Sequence, residues 1–193
     1  MARDNLLALL ARAVEQTRAI ISHIRPDQES LPTPCTEWDV RALVNHTVFD
    51  TQNFTAAVSG GERPSTDADL IGTNWTDAYG TASDRLLAAW RQRGTAGTLQ
   101  LGRGEVAATW ASGMHLFSQT VHGWDLASAT GQSTDLDPEV GQAALDFAHD
   151  NLEPFRGRGF GPDVPVSEDA PLYDRLASFC GRQPTERCRP TSR

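Results

Sequence analysis

No stretch of this sequence approaches the roughly 18 consecutive apolar residues that a membrane span requires, so a bilayer-crossing helix is not expected. Positive charge is scarce as well. Seventeen Lys and Arg face 25 Asp and Glu, for a net charge of −8 and a pI near 5.0. A chain this acidic lacks the basic face that non-specific nucleic-acid binding needs. Cysteine is rare and odd in number: Cys35, Cys180 and Cys188. Their spacings match no zinc ribbon, and a chain of 193 residues needs no covalent staples. Reduced thiols are expected, with a Cys180–Cys188 bridge in the tail as the other option. The N-terminus, MARDNLLALLARAVEQTRAIISHI, scatters charges through an amphipathic pattern and has no apolar centre like that of a signal peptide. A soluble cytoplasmic protein with no membrane or nucleic-acid partner follows. There is no internal repeat and no low-complexity tract.

What is present suits one packed core. Hydrophobic residues make up 39%, with five Trp and seven Phe. Residues 1–183 are expected to form a single domain, with 184–193 a disordered tail. Leu6, Leu10, Val14, Thr17, Ile21 and Ile24 repeat at four and three, predicting a helix from about Asp4 to Ile24. The three prolines of RPDQESLPTPC end it. Thr36, three residues before Asp39, predicts the cap of a second helix that starts near Trp38 and ends at Gly60-Gly61. A third helix is predicted from about Trp75 to Arg93, with Ala78, Ala82, Leu86, Ala89 and Trp90 inward. Glycines around TLQLGRGEV predict a small β-hairpin. A fourth helix spans about Trp110 to Thr130, and Asp137-Pro138 starts a fifth. A Gly/Pro-rich loop, EPFRGRGFGPDVPVSEDA, leads to a short helix from about Pro171 to Cys180. The expected fold is all-α: a four-helix bundle with one long crossover, a short hairpin insertion and a small C-terminal helical appendage.

The chemistry concentrates on the fourth helix. His115, Ser118, His122 and Asp125 fall in one stripe beside an apolar ridge of Trp110, Met114, Phe117, Val121 and Trp124. Polar groups next to a buried ridge need partners. His46 in VRALVNHTVFD, between Val44 and Val48 on the second helix, is the candidate to answer them, and Asp50 lies one turn further on. Imidazoles and carboxylates projecting from facing helices suit zinc, nickel or iron. His46 and His122 are therefore the expected metal ligands. The bland alternative is a pair of hydrogen-bonded packing histidines. His115, about 10.5 Å along the helix from His122, reads as a wall of the site. His23 and His149 have no companion. Trp38, Trp110 and Trp124 read as core anchors, and Cys35 as a packed, inert thiol. GRGEV and FRGRGFG lack the strand and helix of a phosphate loop and read as turns.

Three segments carry a resemblance. LPTPCTEWDVRALVNHTVFD resembles the second-helix signature of the DinB/YfiT-like bundles, specifically the mycothiol-dependent maleylpyruvate isomerase N-terminal domain group. HGWDLASATGQ resembles the second signature of the group's actinobacterial branch, and GRGFGPDVPVSEDAPLYDRLASFCGRQP is similar to that branch's tail. The resemblance implies a DinB-like four-helix bundle with a metal between helices two and four. It also implies low-molecular-weight thiols, such as mycothiol or bacillithiol, in isomerase or S-transferase chemistry. Carried over by position, the family's metal triad falls on His46, Ser118 and His122. Ser118 stands where a carboxylate or imidazole is expected, so Ser118, His115, Asp50 and Asp125 all remain open as the third ligand. The resemblance further implies that the isomerase carries a separate C-terminal domain with no counterpart here.

These observations lead to an expected metal-dependent thiol S-transferase or isomerase-like enzyme, holding zinc or nickel and taking a small-molecule thiol and an electrophile. The acceptor is expected to enter near the LGRGE turn. The alternatives are a catalytically silent paralogue that binds a small ligand, and a bundle that acts mainly as a homodimer through apolar outer faces.

Overall fold

A computed structural model of the chain describes residues 3–102, 104–157, 160–167 and 169–184. Four long helices, α1 (Arg3–Ser22), α2 (Val40–Ser59), α3 (Trp75–Arg93) and α4 (Ala108–Thr130), close a ring in which α4 touches α1 and α2, and α3 touches the same two. α5 (Pro138–Asn151) lies outside α4 and α1, and α6 (Leu172–Phe179) packs across α5 and α4. The antiparallel hairpin, β1 (Thr98–Leu101) with β2 (Gly104–Ala107), pairs Thr98 with Ala107 and Leu101 with Gly104. It buries Leu99 and rests on α2 and the start of α4. The all-α architecture with a hairpin insertion matches the pattern of the sequence.

α4 is the axis of the molecule. It is buried on almost every side, from Ala108 through Leu116, Phe117, Val121 and Trp124 to Thr130. Burial on that scale, at roughly 25 cal/mol per Å² of apolar surface, is what fixes the helix in place. α2 and α4 run in opposite directions, because His46 faces His122 while Phe54, two turns on, stacks on His115 at 4.4 Å. Gln119 ties the ring together from α4. It accepts from Tyr79 Oη on α3 (2.6 Å) and donates to Thr51 Oγ1 on α2 (3.2 Å), and its carbonyl accepts from Thr17 Oγ1 on α1 (3.1 Å).

Local signals set most of the boundaries. α3 begins and ends where its pattern predicts. Its inward face adds Tyr79 and Ser83 to Ala82, Leu86 and Trp90, whereas Ala78 and Ala89 are half-buried. Asp137 caps α5 by accepting from Glu139 N and Val140 N, with Pro138 at the first helical position. α2 starts later than expected. Asp39, not Thr36, is its cap, accepting from Ala42 N at 2.8 Å. The preceding segment is held as a closed loop, with Val40 N donating to Leu31 O and Thr33 Oγ1 to Trp38 O, so the helix cannot begin inside it.

Cys35 and Cys180 are free thiols, while Cys188 and the tail expected to be disordered lie outside the described residues, apart from its first residue, Pro184. No helix among the described residues is long and apolar enough to cross a membrane. Val166 is the one large hydrophobic residue found exposed among them.

Candidate functional site

α2 and α4 meet in facing rungs. The rings of His46 and His122 stand edge to face, centroids 5.2 Å apart. One turn along, Ser118 Oγ donates to Asp50 Oδ2 at 2.8 Å. All four residues line a cavity of about 250 Å³, with Met114, Phe117 and Val121 as its apolar floor. Two larger grooves, lined in part by Arg41 and Trp75 and by Arg63 and Arg85, contain neither histidine nor cysteine among the described residues. The chemistry converges in the smaller space.

Irregular chain completes the lining of the cavity. Cys35, Glu37 and Trp38 come from the loop before α2, and Phe160 and Arg182 from the segments flanking α6. Among the described residues no hairpin residue lines it, whereas the acceptor was expected to enter near the LGRGE turn. Trp38 is not a plain core anchor either, since its ring stacks on His46 at 4.1 Å. Trp110 is half-buried and donates to Asn151 Oδ1 at 2.9 Å, whereas Trp124 is fully packed.

His122 is oriented by its own helix. Its Nδ1 lies 3.2 Å from Asp125 Oδ2, one turn on. Asp125 is 0% exposed, and its two oxygens accept from Arg182 Nε (3.2 Å) and Arg182 Nη2 (3.0 Å). Burial works against a charged Asp125, but Arg182 and His122 together outweigh it and hold the carboxyl below its usual range. Arg182 is raised further by the same pairing, despite its own burial. A carboxylate orienting a histidine from behind is the arrangement that readies the opposite ring nitrogen for an ion. Burial, aided by the neighbouring His122, pushes His46 well below the ordinary imidazole value, which keeps it neutral and able to ligate.

The other candidates fall in different places. His115 does not line the cavity. Gln119 Nε2 donates to its Nε2 at 3.0 Å, which assigns the ring proton to Nδ1, and Nδ1 finds no partner among the described residues. Asp125 is already matched by an internal cation. Asp50 lines the cavity with the two imidazoles and is held by the hydroxyl of Ser118; Glu37 lines it too, from the loop before α2. His23 binds its own helix at Ala19 O, and His149 packs edge-on against Phe179.

Cys35 was not singled out by its pattern, yet its Sγ, a His122 ring nitrogen and an Asp125 oxygen lie within 4.8 Å of one another. Burial pushes the thiol up to about 11, more than Arg182 lowers it. Nor did periodicity single out Arg182, because it lies past the end of the last helix, where its N–H donates back to Ala177 O.

A family model described as the mycothiol maleylpyruvate isomerase N-terminal domain matches residues 10–127. The uncharacterized proteins Rv0738 and MT0763 of Mycobacterium tuberculosis (strains ATCC 25618 / H37Rv and CDC 1551 / Oshkosh) are each 35% identical over 175 residues, covering 89% of this chain and 94% of theirs. Among solved structures, the mycothiol-dependent maleylpyruvate isomerase superposes with a TM-score of 0.68 at 17% identity. A mutant of that isomerase with histidine replaced by alanine gives 0.69 at 16%. Each superposition covers 94% of this chain and 90% of the isomerase chain, so that solved chain holds no whole further domain without a counterpart here, contrary to expectation.

Proposed function

Because the chain belongs to the mycothiol maleylpyruvate isomerase N-terminal domain family, we propose that it is a metal-dependent, thiol-using enzyme of the S-transferase or isomerase type. His46 and His122 hold a divalent ion, zinc or nickel, with Asp50 as the nearby carboxylate. The observation that carries this reading is the 5.2 Å, edge-to-face pairing of the two rings inside a half-apolar cavity. Two imidazoles sharing one tetrahedral ion through bonds of about 2.0–2.1 Å have centroids about 5 Å apart, so the donor set fits. An ion held there would lower the pKa of a bound small-molecule thiol and keep it as thiolate.

The chain's own residues prepare that chemistry. Asp125 fixes the His122 ring, and Arg182 keeps Asp125 ionised so that the ring stays oriented. Trp38 covers the His46 face and excludes water from it. Phe117 and Phe160, with centroids 5.6 Å apart, give the cavity an apolar side suited to the carbon skeleton of an electrophile. A cytoplasmic location accords with the free thiols of Cys35 and Cys180.

Elemental analysis of untagged protein tests the proposal. Near-stoichiometric zinc or nickel is expected, lost in the His46→Ala/His122→Ala double variant. Failure to take up either ion from excess would overturn it. One observation favours a second reading, a silent paralogue that binds a small ligand. Ser118 brings a neutral hydroxyl, a weak ligand for a borderline ion. That reading predicts a folded protein whose cavity binds a thiol-sized ligand with equal affinity in the presence or absence of chelator.

A further inference from the structure

The proposed ion has two imidazoles and one carboxylate around it, and the same cavity is lined by Cys35, whose thiolate is a strong ligand for zinc. We infer that Cys35 supplies a thiolate to the ion held by His46 and His122, making a mixed nitrogen, oxygen and sulfur site. The inference rests on the metal reading above and names a donor which that reading leaves out.

The placement is the main support. Cys35 lines the same cavity as His46, Asp50 and His122. Its sulfur lies within 4.8 Å of a His122 ring nitrogen; the inference requires the Cys35 side chain to turn until the two donors are about 3.5 Å apart, the separation on one tetrahedral ion. The backbone that carries the sulfur is fixed, because Cys35 O accepts from both Trp38 N (2.9 Å) and Thr33 Oγ1 (3.0 Å). Trp38, held by the same turn, stacks on His46. The loop therefore delivers one residue onto a ligand and the other beside the partner ligand.

Charge supports the assignment. Asp125, the other group in the Cys35–His122 cluster, has both oxygens on Arg182, and a dication there would have to displace a buried guanidinium. The hydrogen bonds of Arg182 among the described residues go to Asp125 and Cys180 O, so a sulfur–metal bond breaks none of them. On coordination the S–H bond breaks, the sulfur–metal bond forms, and the proton leaves to solvent. A thiolate in the set selects borderline or soft ions such as zinc and cobalt over magnesium and calcium. Cys35 also fills the position an external thiol would need, so the two compete for it.

Cobalt(II) added to the untagged full chain reads this out directly. Wild type is expected to show the visible bands of tetrahedral cobalt together with a near-ultraviolet sulfur-to-cobalt charge-transfer band. Cys35→Ser and Cys35→Ala should keep the visible bands, lose the charge-transfer band, and bind cobalt about 10- to 100-fold more weakly. Visible bands without charge transfer in wild type overturn the thiolate and leave the imidazole site standing. Charge transfer that persists in both variants assigns the sulfur to another cysteine and also overturns it. Absence of every cobalt band defeats the metal reading itself.

Discussion

Ser118 Oγ donates to Asp50 Oδ2 across 2.8 Å, one turn from the point where the rings of His46 and His122 meet. The hydroxyl on α4 thus holds a carboxylate from α2 at the very level where α4 has no acidic side chain of its own. If that carboxylate serves the ion, the two residues act as a unit.

Removing either half should then weaken metal binding. Ser118→Ala frees Asp50 to turn away and is expected to cost about 10-fold in affinity, and Asp50→Asn about 100-fold. Ser118→Glu would place a second carboxylate against Asp50, and like charges at that distance repel. Its gain in affinity is expected in the Asp50→Asn background, not in wild type. Competition against a chromophoric chelator measures the four variants beside wild type. Unchanged affinity in both Ser118→Ala and Asp50→Asn would remove Asp50 from the site.

Arg182 and Asp125 form a buried pair, at 5% and 0% exposure. Arg182→Met leaves an uncompensated carboxylate in the core and should destabilise the fold by about 3–5 kcal/mol. The Arg182→Met/Asp125→Leu double variant should recover most of that loss, since neither charge then remains. The pH dependence has a definite sign. Asp125 sits below its ordinary value in the fold, so its contribution is present above the unfolded pKa and is lost as pH falls through the folded one. Denaturant titrations at neutral and acidic pH check both claims. An Arg182→Met protein as stable as wild type would show that the pair is dispensable.

His115 should impose a separate acid sensitivity. Complete burial lowers it from 6.5 to about 4. Between those values the unfolded chain takes up a proton that the folded one refuses, so stability declines as pH drops from 6.5 toward 4. The slope from one such group is at most about 1.4 kcal/mol per pH unit. His115→Leu keeps the packing against Phe54 and should flatten the unfolding free energy over this window, leaving the share due to His46. A slope equal to wild type would mean that the ring is protonated in the fold.

How much of this was legible in the sequence depends on whether a residue sits in a regular element. The facing of His46 and His122 followed from apolar spacing on α2 and α4, because periodicity reports which side of a helix is buried. The single polar stripe on α4 did not survive intact. His115 lies two turns from His122, and along that length the opposing helix changes from His46 to Phe54, which spacing on one helix cannot reveal. The place of Cys35, Trp38 and Arg182 in the cavity wall was not legible for one shared reason. Each reaches the cavity through non-periodic chain, whose path is set by particular hydrogen bonds such as Thr33 Oγ1 to Trp38 O. Arg182 also depends on a turn that no helix pattern encodes.

That turn gives the sharpest structural test. Gly181 has φ +82°, a left-handed conformation that side chains resist, and a Cβ there would lie 2.7 Å from Gly161 Cα. Both constraints exist to bring Arg182 back onto Asp125 after α6. Gly181→Ala is therefore expected to cost about 1–3 kcal/mol from backbone strain alone, and more if the chain swings away from Gly161. A swing withdraws the guanidinium, so Gly181→Ala and Arg182→Met should break the same contact. Their combined cost should then fall short of the sum of the single costs by more than about 0.5 kcal/mol, the margin within which independent sites add. A thermodynamic cycle over the four proteins provides the measurement. Strict additivity would mean that the turn and the buried pair act independently, and that His122 owes its orientation to Asp125 without help from the last turn of the chain.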